Sequence, residues 1–123
     1  MQAGASCMSE RLPKHLDDAL YAATLALQFL GARTLADYEA DVMLRSALER
    51  QLEILGEACR RALDDTPALR ERMPECVSAI ALRNRLAHRY DAVSHDIVLE
   101  TVRRDLPPLV IKLGRELAAF PEA

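Results

Sequence analysis

The chain has 123 residues, half of them hydrophobic and 28% charged, with a formal net charge of −3. That length fits one domain with a real core, and the composition excludes a disordered chain. A net-negative molecule does not attract polyanions as a whole, so any nucleic-acid site has to be a local basic patch.

Leu, Ala, Arg and Glu dominate, and all four are good helix formers. Cys7, Cys59 and Cys76 lack metal-ligand spacing, and no CxxC accompanies them. They read as reduced thiols of a cytoplasmic protein. No apolar run approaches the roughly 18 residues of a membrane helix, so no membrane partner is expected. Asp17-Asp18 and Asp64-Asp65 lack a second cluster, so neither a metal site nor a cofactor is expected.

Residues 1–8 are small and polar and read as a flexible tail. One helical domain is expected over residues 9–123. Its first helix spans about Leu12 to Leu30, capped by Ser9 and stopped by Gly31. Thr34 and Asp37 make a capping box ahead of a short turn. A long second helix follows, from about Glu39 to Leu63, with Leu44, Leu48, Leu55 and Cys59 on its core stripe. Gly56 in mid-helix costs about 1 kcal/mol relative to Ala, which points to a close helix approach. Ile54 interrupts the polar side and points to a second contact surface.

Thr66-Pro67 reads as a cap and first helical residue, opening a turn over Ala68 to Arg72. Pro74 opens a helix to Ala87. Ser94 caps the last helix, from His95 to about Ala119, and Pro107-Pro108 is expected to kink or break it near Leu106. The whole reads as an all-α, antiparallel four- to five-helix up-and-down bundle.

One stretch stands out. Arg83-Asn84-Arg85-Leu86-Ala87-His88-Arg89-Tyr90 puts six hydrogen-bonding side chains into eight residues. At about 100° per residue, Val77, Ala81, Asn84 and His88 share one stripe, with Arg83 at its flank. Asn84 and His88 are four apart, so helical geometry lets them touch. Leu82 and Leu86 face the other way, toward the core. Arg and His without carboxylates suit phosphate. Arg and His at a helix C-terminus also suit the helix dipole with no site at all.

Arg83-Asn84-x-x-Ala87-His88-x-Tyr90 resembles the signature of the HEPN-domain toxins, in their HepT-like branch. Arg50-x-Leu52-Glu53-Ile54-Leu55-Gly56-Glu57-Ala58 resembles that family's second-helix pattern, and Asp105-Leu106-Pro107 matches a weaker third feature. Together these span about residues 12 to 118. The family's frequent Gly two residues before the Arg is Ala81 here.

The resemblance implies a homodimer whose motif helices face across a cleft. It implies a type II toxin that cleaves RNA without metal. It also implies a minimal nucleotidyltransferase antitoxin that adds AMP to Tyr90. The motif then divides into His88 for proton transfer, Arg83 for charge and Asn84 for orientation. Arg85, Arg89 and Glu57 become RNA or interface contacts. The alternative is a non-catalytic module that uses the same helices to bind a nucleotide or a partner. His15 and Arg103-Arg104 read as solvated surface, His95 as local structure, and Tyr21 and Tyr38 as packing residues.

Overall fold

The computed structural model describes residues 3–88 and 93–120, with side chains from residue 11 onward. It is all-helical over those residues, with six helices: α1 (Ala3–Leu30), α2 (Leu35–Ala40), α3 (Val42–Asp65), α4 (Leu69–Arg72), α5 (Pro74–Ala87) and α6 (His95–Ala118). Four to five helices were expected. The count rises because α2 is a separate helix and α4 closes as a short one.

Local chemistry accounts for most boundaries. Gly31, at φ 51°, takes the left-handed conformation that ends α1. At the start of α2, the Asp37 N–H donates to Thr34 Oγ1 and the Thr34 N–H donates to Asp37 Oδ2, completing the capping box. Asp41 then caps α3 by accepting from the Leu44 N–H. That cap splits the expected second helix from the turn before it. Pro74 sits in the first turn of α5, where its missing N–H costs nothing.

Three boundaries differ from expectation. α1 starts at Ala3, so Pro13 lies inside it and Ser9 is not its cap. Thr66 closes α3 instead of opening α4, because its N–H bonds back to the Ala62 carbonyl. α6 runs unbroken through Pro107 and Pro108. The two prolines remove N–H donors to the carbonyls of Arg103 and Arg104. Both of those residues are exposed, so water can replace the lost bonds. Leu106, Leu109 and Leu113 are buried on the opposite side and hold the helix to the core.

α1 packs on α3 and α6, α3 also packs on α5, and α5 packs on α6. The four long helices thus surround one core, with Leu16, Leu48, Leu55 and Leu109 fully buried at its centre. Tyr38 of α2 is buried as expected, its ring edge-on to His95 with centroids 5.3 Å apart. Its hydroxyl has no hydrogen-bond partner among the described residues, and burial pushes it up to about 12. Tyr21 is not a packing residue, since it is 67% exposed.

The α3–α5 contact positions the functional stretch. A Cβ on Gly56 would overlap the Arg83 Cβ, and would lie 2.8 Å from Arg83 Cγ and 3.0 Å from the Ala79 carbonyl oxygen. The two helices touch there backbone to side-chain root. Further along, the buried thiols of Cys59 and Cys76 meet, and the Cys76 thiol together with burial pushes the Cys59 thiol up. Both are free, as the sequence reading expected. Among the described residues no helix is long and apolar enough to cross a membrane.

Candidate active site

A cleft of about 480 Å³ opens where α1, α3 and α5 meet. From α5 it takes Arg83 and Ala87. From α3 it takes Arg50, Glu53, Glu57 and Arg61, with Ile54 and Ala58 as an apolar floor. His15 and Asp18 close it from α1. Ile54 therefore faces this cleft, and the close approach at Gly56 brings Arg83 to its wall.

Arg83 is half-buried and tethered at both ends of its fork. Its Nη1 donates to Asn84 Oδ1 at 3.2 Å, and its Nη2 lies 3.5 Å from Glu57 Oε1. Asn84 thus holds Arg83, where the helical wheel paired it with His88. His88 is the C-cap, with φ −94° and ψ 97°, so its backbone is extended rather than helical. Among the described residues no hydrogen bond joins Asn84 to His88, and the Asn84 Oδ1 is taken by Arg83. Both side chains are exposed, and neither lines the cleft of the single chain. Arg85 is exposed too, while Arg89 and Tyr90 lie outside the described residues.

Glu57 carries the strongest electrostatic signature of the cleft. Its Oε2 accepts from Arg60 Nη2 at 2.6 Å and from Arg61 Nε at 2.9 Å. The Arg60 hydrogen bond, then that from Arg61, brings its carboxyl down to about 2, against the cost of desolvation. A folded-state value below the unfolded one means stability that is present above about pH 4.5 and is lost as pH falls toward about 2. Urea midpoints measured from pH 5 to 2 should therefore fall more steeply for the parent chain than for Glu57→Gln. Parallel curves would mean that the pairing adds nothing to stability.

His15 and Asp18 are the site residues that sequence reasoning missed. The sequence reads His15 as solvated surface, yet it is half-buried in the same cleft as Arg83. Both flank the Leu12–Leu16–Ala19 core stripe, and nothing in their spacing links α1 to α5. His95 behaves as expected, with Nδ1 3.3 Å from Glu39 Oε2 on α2. Arg103 and Arg104 are exposed, but each has a partner. Arg103 donates to the Arg33 carbonyl, and Arg104 to the buried Asp105 carboxylate at 3.0 Å. Among the described residues no cluster of His, Cys, Asp and Glu could hold a metal ion.

Comparison with known proteins agrees with the motif. The model of the family described as ribonuclease HepT-like matches residues 19–115, which is most of the chain and includes α3, α5 and nearly all of α6. The chain belongs to the HepT-like ribonuclease family. Its relatives include a protein of Methanocaldococcus jannaschii that carries the name of an RNase. That protein is 31% identical over 105 residues, covering 83% of this chain and 94% of the relative. A protein of Thermococcus cleftensis, named as a probable ribonuclease HepT, is 30% identical over 95 residues, covering 77% of this chain and 86% of the relative. No solved structure matches the chain at a significant level. In this family member the cleft carries Arg83 on its wall and His88 just beyond the end of the same helix.

Proposed function

We propose that the protein is a metal-independent endoribonuclease that acts as the toxin of a type II toxin–antitoxin pair. One observation carries the reading: within a chain of the HepT-like family, the Gly56 approach sets Arg83 on the wall of a cleft, five residues before an exposed His88.

The chemistry follows from what RNA brings with it. Its 2′-hydroxyl is the nucleophile and attacks the adjacent phosphorus. The P–O5′ bond breaks, leaving a 2′,3′-cyclic phosphate and a 5′-hydroxyl. The reaction needs a base for the 2′-OH proton, an acid for the departing 5′-oxygen and positive charge for the phosphorane. His, with an unperturbed pKa near 6.5, suits both proton steps at neutral pH. Arg supplies permanent charge in a fork that fits two phosphate oxygens. Asn84 orients that fork through its 3.2 Å hydrogen bond.

A single chain has one His88, and it stands outside the cleft. A homodimer built as an up-and-down bundle pair, with the two α5 helices facing, supplies a second. Exposed Val77, Ala81 and Asn84 give α5 a partly apolar face for that contact. A nucleotidyltransferase antitoxin would then silence the site by adding AMP to Tyr90. The adduct would put an anion where the RNA phosphate binds.

The test is cleavage of a short unstructured RNA by the purified, unmodified chain in excess EDTA. Expected are products ending in 2′,3′-cyclic phosphate. A substrate with a single 2′-deoxy residue at the cut site should not be cleaved there. Intact mass before the assay shows whether Tyr90 carries AMP. The position of His88 outside the cleft of the single chain favours a second reading, a non-catalytic nucleotide- or partner-binding module. Tight nucleotide binding with intact RNA under these conditions would establish it.

A further inference from the structure

Glu57 reaches three guanidinium groups, and they are not held equally. Arg60 and Arg61 bond to Oε2 at 2.6 and 2.9 Å, and Arg60 Nε also donates to Oε1 at 3.2 Å. Arg83 Nη2 stands off at 3.5 Å, an ion-pair distance rather than a hydrogen bond. Arg60 is further shared with Asp64 at 2.9 Å. The knot stays net positive even with Asp64 counted.

The geometry points to Glu57 as a positioning residue that aims the Arg83 guanidinium into the cleft without occupying it. The proposal rests on Arg83 being the group that meets the scissile phosphate. A guanidinium has five N–H donors. Asn84 uses one on Nη1, and the approach of Glu57 points one on Nη2 at the α3 wall. Three remain for a phosphate.

A carboxylate facing Arg83 alone would pair with it bidentately, and the substrate would have to break that pair. Sharing the same carboxylate with Arg60 and Arg61 prevents this. Both lie on α3 at i+3 and i+4 from Glu57, so they reach it at little conformational cost. Gly56 completes the arrangement, because the root of Arg83 is pressed against α3 beside residue 57. The carboxylate keeps its charge throughout the working pH range, since it titrates at about 2.

Steady-state cleavage of a fluorescent unstructured RNA by full-length variants tests this, with circular dichroism and melting to confirm folding. Glu57→Gln, nearly isosteric, should lower kcat by about tenfold, equivalent to about 1.4 kcal/mol. Its KM should not rise, because a negative charge has left the cleft. A direct RNA contact by Glu57 would instead raise KM, and a purely structural role would leave both constants as they are in the folded variant. Either result overturns the proposal.

The double variant Arg60→Ala/Arg61→Ala leaves Glu57 with Arg83 as its remaining cleft partner. The pair should close and KM should rise. Adding Glu57→Gln to that background should bring KM back down. An additive response across this cycle overturns the proposal. Arg83→Ala in the same assay separates the two ideas. Unchanged cleavage there removes the role of Arg83 and this inference with it. Lost cleavage there, with a parent-like kcat for Glu57→Gln, removes the positioning role alone.

Discussion

His88→Ala should slow RNA cleavage by about 10²–10⁴-fold, the range expected for removing a general acid–base group. Its melting temperature should stay close to that of the parent. The structure separates these effects clearly. The His88 side chain is exposed and takes part in no hydrogen bond among the described residues, while its backbone N–H bonds to the Arg85 carbonyl. That backbone bond survives substitution by Ala. What is lost at the helix end is a favourable dipole contact, about 0.3–1 kcal/mol if the ring is protonated. Arg83→Ala should cost about 10²–10³-fold, as for removal of one fixed donor to developing charge. Its effect on stability should be larger than that of His88→Ala, because it removes the Cγ packed beside Gly56 and the guanidinium's contacts with Asn84 and Glu57. Undiminished cleavage by His88→Ala would remove the proposed chemistry. A folded His88→Ala variant that still binds a 2′-deoxy substrate analogue but no longer cuts RNA would assign the loss to proton transfer.

Gly56→Ala should destabilise the fold and lower activity together. Two effects oppose each other here. Ala is better than Gly in a helix by about 1 kcal/mol. Against that, the new methyl would overlap the Arg83 Cβ and lie 2.8 Å from its Cγ and 3.0 Å from the Ala79 carbonyl oxygen. Those atoms are a side-chain root and a backbone group, so no flexible end can swing aside. α3 and α5 must separate, and overpacking of this kind typically costs about 1–3 kcal/mol, occasionally more. The packing cost exceeds the propensity gain, and Arg83 moves away from the wall it shares with Glu57. Gly114→Ala is the control. A Cβ there meets nothing within 4 Å, so the helix-propensity gain should appear unopposed as a higher melting temperature. If Gly56→Ala raises the melting temperature as Gly114→Ala does, the close approach is not a constraint.

Much of the helical layout follows from residues within four positions of one another. Gly31, the Thr34–Asp37 box and Pro74 each act locally, and the structure places helix ends at all three. The α3 stripe from Leu44 through Leu55 to Cys59 is buried as its period requires. The family was also readable in the sequence, because its motifs are short and contiguous, and the match over residues 19–115 agrees with it. Pro107 and Pro108 show the limit of local rules. Propensity ends a helix there, and the buried leucines beyond them carry it on.

The make-up of the cleft required the folded chain. Gly56 alone implied a close neighbour, and only tertiary structure named Arg83 as that neighbour, 27 positions away. His15 and Asp18 enter the same cleft from α1 with no signature in their spacing. Asn84 bonds to Arg83, and α5 ends one residue before His88, two facts that no helical wheel can anticipate. Local hydrogen bonding and periodicity set where each helix begins, ends and turns its apolar face. Which polar side chains then meet depends on how the helices pack, and packing is settled by shape complementarity between segments far apart in the chain.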